Sequence, residues 1–198
     1  GPPPIADPAS RVHGRVLPQS ASRWPLVGSR SSRSRSPSSE VLASSDRWVL
    51  RVLEGDVASH QPWMIHWNNG LHDIKRLRDR DNCLVPLDQY RRNIEELTKK
   101  LQNLVGPRLI WASTTPVIED KHNTSKQFDR YNRDVQAYNQ AAREAVGRAG
   151  LLVNDLHAVI AADPQRYIVA DGVHLNDEGQ RAAAQAVVAV VRTLLTPS

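Results

Sequence analysis

A chain of 198 residues, 40% hydrophobic and 24% charged, is long enough for one globular core with room for a tail. No apolar run approaches the roughly 20 residues that cross a bilayer, which excludes a membrane-spanning helix. A single cysteine, Cys83, excludes an intrachain disulfide framework and a cysteine-built zinc site and leaves the compartment open.

The net charge of +5 is concentrated in residues 1–45, where six arginines face only Asp7 and Glu40. This head is rich in Ser and Pro and contains Ser29-Arg30-Ser31-Ser32-Arg33-Ser34-Arg35-Ser36-Pro37. It shows neither strand alternation nor a helical period, and such a composition cannot bury enough apolar surface to offset the entropy of ordering. Residues 1–38 are therefore expected to be disordered, or an aberrant stretch read in the wrong frame, ahead of an α/β domain over 39–198. Gly1-Pro2-Pro3-Pro4 shows no basic or apolar leader, so no signal peptide is visible. A nucleic-acid partner would rest on the head alone, and the short Arg-Ser run brings no aromatic platform for bases, which disfavours it.

From Ser39 the texture changes. Val41–Leu53 reads as a short helix, and Trp63-Met64-Ile65-His66-Trp67, bounded by Pro62 and Asn68, as a buried strand. Pro86–Val105 reads as a helix with Leu87, Tyr90, Ile94, Leu97, Leu101 and Leu104 on one face, stopped by Gly106-Pro107. Leu109–Ala112 is a second strand, Ser125–Arg148 a long helix, Leu151–Val153 a third strand, Leu156–Ala162 a short helix and Asp177–Leu195 the last helix. Short apolar strands separated by long helices imply parallel strands with right-handed crossovers. The fold class predicted is α/β, a three-layer, doubly wound, flavodoxin-like parallel sheet. Ligands in such sheets bind beyond the carboxyl ends of the strands, and polar residues follow each strand here: Asn68, Asn69, His72 and Asp73, then Thr114 and Thr115, then Asp155.

Two stretches carry chemistry. In Ala170-Asp171-Gly172-Val173-His174-Leu175-Asn176, the spacing lets the Asp171 carboxylate reach the His174 imidazole on one loop, fix its tautomer and stabilise the imidazolium formed in general-base work. Asn176 or Asp177 can cap the helix that follows. On spacing alone the plainer reading is favoured, a turn whose Asp caps the helix and whose His is simply exposed. In Ile65-His66-Trp67-Asn68-Asn69-Gly70-Leu71-His72-Asp73, side chains and a glycine past a strand can supply donors to a developing oxyanion. Alone, the stretch is better read as a strand-to-helix turn that uses Asn and Gly for their backbone tolerance.

Together these stretches resemble the SGNH hydrolases, the GDSL-type serine esterases. Asp171-Gly172-Val173-His174-Leu175-Asn176 is similar to the family's last block, where Asp and His complete the triad. Asn68-Asn69-Gly70-Leu71-His72-Asp73 resembles its third block, usually Gly-x-Asn-Asp. Thr114-Thr115-Pro116-Val117, Tyr138-Asn139 and Asn154-Asp155-Leu156 also resemble one branch, so the similarity spans about residues 39–195.

The chain departs from the family in three places. His72 stands where the oxyanion Asn is usual, and the resemblance moves that role to Asn68 and His72 with Gly70. The opening block, an apolar strand ending in Gly-Asp-Ser, is missing, so the sheet is expected to be incomplete at its N-terminal strand and the nucleophile is unassigned. The nearest echo is Leu26-Val27-Gly28-Ser29, which makes Ser29 a weak candidate. The glycine of the second block has no clear counterpart.

The resemblance implies a hydrolase of esters, acting on O-acetyl groups of carbohydrates or on other small acyl esters. In an intact member a serine attacks the acyl carbon, His174 takes its proton and Asp171 orients His174. It implies no metal or organic cofactor. A metal at His72 or His66 with Asp73 is set aside because no third ligand has motif-like spacing. The partner is a small-molecule or glycan ester, with no membrane. The alternative is a pseudo-esterase that keeps the pocket and binds a glycan or acyl ligand without turning it over. Trp48, Trp63, Trp67 and Trp111 are expected in the core or a pocket wall, the charge run Lys75–Asp81 on a solvated face, and Cys83 as a structural thiol.

Overall fold

The computed structural model describes residues 61–195. The helix expected at 41–53, the head over 1–38 with its boundary at 39, and Ser29 lie outside the described residues. Strands β1 (Ile65–Asn68), β3 (Leu109–Ala112) and β5 (Leu152–Asn154) form a parallel sheet in the order β1-β3-β5. Two-residue strands β2 (Arg76–Leu77) and β4 (Phe128–Asp129) pair antiparallel as a separate two-stranded sheet. The helices are α1 (Leu87–Val105), α2 (Glu119–Ser125), α3 (Asn132–Arg148), α4 (Leu156–Ala161), α5 (Pro164–Tyr167) and α6 (Asp177–Leu195). The α/β class with a parallel sheet holds. Among the described residues the parallel strands follow one another in a single direction across the sheet, β1-β3-β5.

Parallel strands joined by helical crossovers need cover on both faces, and β3 shows it: Leu109, Ile110, Trp111 and Ala112 are all fully buried. Leu109 and Trp111 enter one core with Tyr90, Ile94, Leu97 and Leu101 of α1 and Val135, Tyr138, Ala142 and Val146 of α3. Tyr90 and Tyr138 meet across the two crossover helices, ring centroids 4.8 Å apart. The α1 stripe ends at Val105, not at Leu104, which is 40% exposed. The four-residue step from Leu101 to Val105 holds the 3.6-residue period on the sheet side, whereas a step of three turns Leu104 outward.

The structure corrects three expectations. The long helix over 125–148 is instead α2, the short strand β4 and α3, which begins only at Asn132. Phe128-Asp129 is extended because it pairs with Leu77-Arg76, a long-range partner with no local signature. The run Lys75–Asp81 is not merely a solvated face. Arg76 grips Asp134 through two hydrogen bonds of 2.7 and 2.8 Å, and Arg78 donates to the carbonyls of Asn123 and Lys126. Trp67 and Trp111 are core, but Trp63 is half exposed, with the Arg108 guanidinium 5.3 Å from its ring centroid. Among the described residues no helix is long and apolar enough to cross a membrane.

Candidate active site

The sheet's carboxyl end gathers the residues of interest. The loop after β1 is fixed by Gly70, whose φ of +117° suits a residue without a Cβ. A Cβ there would lie 2.7 Å from Thr114 Oγ1 and 3.2 Å from the Tyr90 hydroxyl. Thr114, just past β3, donates its hydroxyl to the Asn69 carbonyl at 2.6 Å. Thr114 is itself clamped by Asn139 of α3, which accepts from its N–H and donates to its carbonyl, both at 2.8 Å. Asn68 donates one side-chain N–H to the Ala112 carbonyl at 2.8 Å, which fixes the amide at the end of β1. His72 is exposed on the turn that follows. Its pKa is lowered by partial burial and by the positive charges of Lys75 and Arg130. His66 is not poised as a ligand: its Nε2 faces the Asn154 amide nitrogen at 3.1 Å.

Asp171 and His174 lie on the loop between α5 and α6. An Ile168–Leu175 bridge closes the loop's base, and the Val169 N–H donates to the His174 carbonyl at 2.9 Å. The turn passes through Gly172 at φ +75°, whose carbonyl accepts from the Ile118 N–H at 2.9 Å. Asn176 caps α6 by accepting from the Gly179 N–H at 2.9 Å, so of the two caps left open by the sequence the structure uses Asn176.

The pair itself is tight. Asp171 Oδ2 lies 2.5 Å from His174 Nδ1, and Oδ1 accepts from the backbone N–H of Val173 at 2.9 Å and of His174 at 3.0 Å. Partial burial works against the carboxylate's charge, but the hydrogen bonds from the His174 ring and the two backbone N–H groups outweigh it and hold its pKa at about 2. A carboxylate acceptor at Nδ1 puts the ring proton there and leaves the Nε2 lone pair outward. The His174 side chain is 67% exposed and Asp171 26%, so the ring is presented rather than packed away.

Two residues that sequence reasoning missed join this loop to the one after β1. Arg130, 5% exposed, donates from Nε to the Leu71 carbonyl at 2.7 Å, and its Nη1 lies 3.2 Å from His122 Nε2. His122 is fully buried in α2, and its backbone nitrogen would lie 2.7 Å from a Cβ on Gly172. No sequence signal marked them: His122 sits in the polar run Glu119–Ser125, and Arg130 in what reads as a charged helix face. A separate hollow of about 450 Å3, lined by Lys75, Leu77, Arg80, Cys83 and Leu84, includes none of Asn68, Gly70, His72, Asp171 or His174. Cys83, half-buried, has its thiol pKa pushed up by burial, in keeping with a structural role.

Three kinds of similarity bear on this geometry. The GDSL esterase/lipase CPRD49 of Arabidopsis thaliana is 32% identical over 116 residues, covering 54% of this chain. The chain spans only 45% of that relative's length. Among solved structures, the lipase/acylhydrolase from Enterococcus faecalis superposes with a TM-score of 0.63 at 18% identity, covering 78% of this chain and 74% of its own. Axe2, an acetylxylan esterase from Geobacillus stearothermophilus, superposes with a TM-score of 0.57 at 18% identity, covering 75% and 68%. At such identities the superpositions establish the fold. The model of the GDSL-like lipase/acylhydrolase family matches residues 12–182, reaching further toward the N-terminus than the recognisable blocks and taking in Val27-Gly28-Ser29. The chain belongs to the GDSL-like lipase/acylhydrolase family.

Proposed function

We propose that this chain is an ester hydrolase of that family in which His174 is the general base, Asp171 its orienting carboxylate, and Asn68 with Gly70 and His72 the oxyanion and substrate side of the site. The observation that carries the reading is the Asp171–His174 pair: a 2.5 Å contact to Nδ1, a carboxylate anchored by two backbone donors, and an exposed ring with Nε2 turned outward. A capping aspartate needs only the backbone bonds. The imidazole bond adds the element that general-base work requires.

In the reaction, a serine hydroxyl attacks the acyl carbon as its proton passes to His174 Nε2. The alkoxide leaving group takes that proton from the imidazolium, which Asp171 stabilises meanwhile. Water then releases the acid by the same steps. The substrate class is a small acyl ester, with O-acetyl groups on carbohydrate the favoured case. Support for it is the acetylxylan esterase among the structural neighbours.

The test is fluorophosphonate labelling of the full chain followed by peptide mapping, with His174→Ala as control. Label on a single serine, lost in the control, supports the hydrolase and names its nucleophile; Ser29 is the candidate to inspect. A folded chain that takes no label refutes serine chemistry. The second reading, a pseudo-esterase that binds a glycan or acyl ligand, is favoured by one observation: no Gly-Asp-Ser occurs anywhere in the sequence. It then requires saturable binding of an acetylated oligosaccharide that mass analysis recovers with its acetyl groups intact.

A further inference from the structure

Arg130 is a buried cation with no ion pair to a described carboxylate. Burying an unpaired charge costs several kcal/mol unless other groups replace its water, and the surroundings do so in an unusual way. Its fork spans the Leu71 carbonyl and His122 Nε2. Its guanidinium carbon lies 4.9 Å from the centroid of Phe128, which Lys75 Nζ also approaches at 4.8 Å and the His122 ring at 5.5 Å. Phe128 is the chain's single phenylalanine, so one ring serves two cations and an imidazole.

The chemistry of the fork fixes the imidazole. Arginine only donates, so His122 Nε2 must accept, and the ring's proton sits on Nδ1. The Nδ1 side is buried with no hydrogen-bond partner among the described residues, and His122 meets the Asp171 turn through its backbone nitrogen and Cβ, which would lie 2.7 and 3.1 Å from a Cβ on Gly172. A continuous line of contacts therefore runs from the Leu71 carbonyl through Arg130 and His122 to the main chain at Gly172, next to Asp171. It ties the loop after β1 to the loop carrying His174, two segments about a hundred residues apart in sequence.

We infer that Arg130 is a positioning residue for the Asp171–His174 pair: its fork holds His122 as the neutral Nδ1–H tautomer against the Gly172 turn and sets the Asn68–His72 loop in register with it. The inference rests on the proposal that Asp171 and His174 are the reacting pair. The charged neighbours are consistent with it. His122 is kept low in pKa by burial first, then by Arg130 and Lys126, against Asp171. Arg130 itself is lowered to about 10 by burial, with the Asp171 carboxylate opposing. On the side of the β1 loop, His72 and Lys75 feel the same positive charge, and Asp73 offsets it at Lys75.

The experiment follows the imidazoles rather than turnover. The full chain, Arg130→Met and Arg130→Lys are labelled with 15N in histidine, and the ring signals are titrated by NMR, with His122→Gln and His174→Gln giving assignments. Melting curves establish that each variant is folded. In the parent, His122 is expected as one neutral tautomer with its proton on Nδ1. In Arg130→Met it becomes a tautomer mixture and titrates at higher pH, and the Nδ1 proton shared by His174 and Asp171 loses its protection from exchange. Arg130→Lys keeps the charge but reaches only one of the two acceptors, so His122 still titrates low while the His174 proton exchanges faster. A folded Arg130→Met with His122 and His174 unchanged overturns the inference. If that variant does not fold, Arg130→Lys decides, and parent-like signals from both rings overturn it. None of these signals depends on esterase turnover, so failure of the hydrolase reading leaves them readable.

Discussion

Replacing Gly172 by alanine is a direct test of how the Asp171 turn is seated. Two penalties meet there. The first is conformational: at φ +75° an alanine costs about 1–2 kcal/mol relative to glycine. The second is steric, because the new Cβ would fall 2.6 Å from the Ile118 carbonyl oxygen and 2.7 Å from the His122 nitrogen. Both are backbone atoms at the start of α2 and cannot swing aside as a flexible side chain would. Relief requires the turn to lift, which breaks the 2.9 Å bond from the Ile118 N–H to the Gly172 carbonyl at about 1 kcal/mol and adds overpacking strain of about 1–3 kcal/mol.

The expected loss is therefore about 3–6 kcal/mol, which for a domain of this size lowers Tm by about 10 °C. Gly150→Ala is the matched control. Gly150 has nearly the same φ, +68°, but nothing within 4 Å of a Cβ, so it carries the conformational penalty alone and should lose about 3 °C. Thermal unfolding followed by circular dichroism compares the two. Equal losses would refute the claim that the turn is wedged against α2.

Three more expectations follow from the geometry. Asn139→Ala removes both hydrogen bonds that clamp the buried Thr114 backbone and should cost about 2–3 kcal/mol in urea unfolding; a loss below about 0.5 kcal/mol would mean that the clamp is idle. A double-mutant cycle on Arg76→Ala and Asp134→Ala should give a coupling of about 1–2 kcal/mol for this bidentate, mostly buried pair, whereas a solvated charge run would give nearly none. Asp171 titrates at about 2 in the folded chain, below its ordinary value of 3.8, so its stabilisation is present above pH 4 and is lost as pH falls towards 2. With the carboxylate 26% exposed, that contribution is about 1 kcal/mol. The parent's unfolding midpoint should therefore drop more steeply between pH 4 and 2 than that of Asp171→Asn, and parallel slopes would contradict the assignment.

Periodic elements were legible because their signals are local. The stripe from Tyr90 to Leu101, the run Leu109–Ala112 and the final helix from Asp177 each show their period within a few residues, and the structure reproduces them. The spacing of Asp171 and His174 allowed their contact but by itself favoured a plain turn with an exposed imidazole; the family resemblance was what pointed to the pair. Phe128-Asp129 was not legible, since an extended pair of residues is stabilised only by Arg76-Leu77, some fifty positions earlier. For the same reason the charge run Lys75–Asp81 read as surface until Asp134 was brought to Arg76.

Local signals along the chain specify the alternation of strands and helices, the ends of α1 and α6, and the spacing that lets a carboxylate reach an imidazole, because hydrophobic period, caps and short loops act over one or two turns of chain. Long-range packing alone sets Arg130 and His122 against that loop, clamps Thr114 with Asn139, and makes Gly70 and Gly172 points of close approach. Each of these depends on segments far apart in the chain meeting at the carboxyl end of one sheet. Burial, which turns an ordinary Arg or His into a positioning group by removing its water, belongs to that meeting and not to the residue.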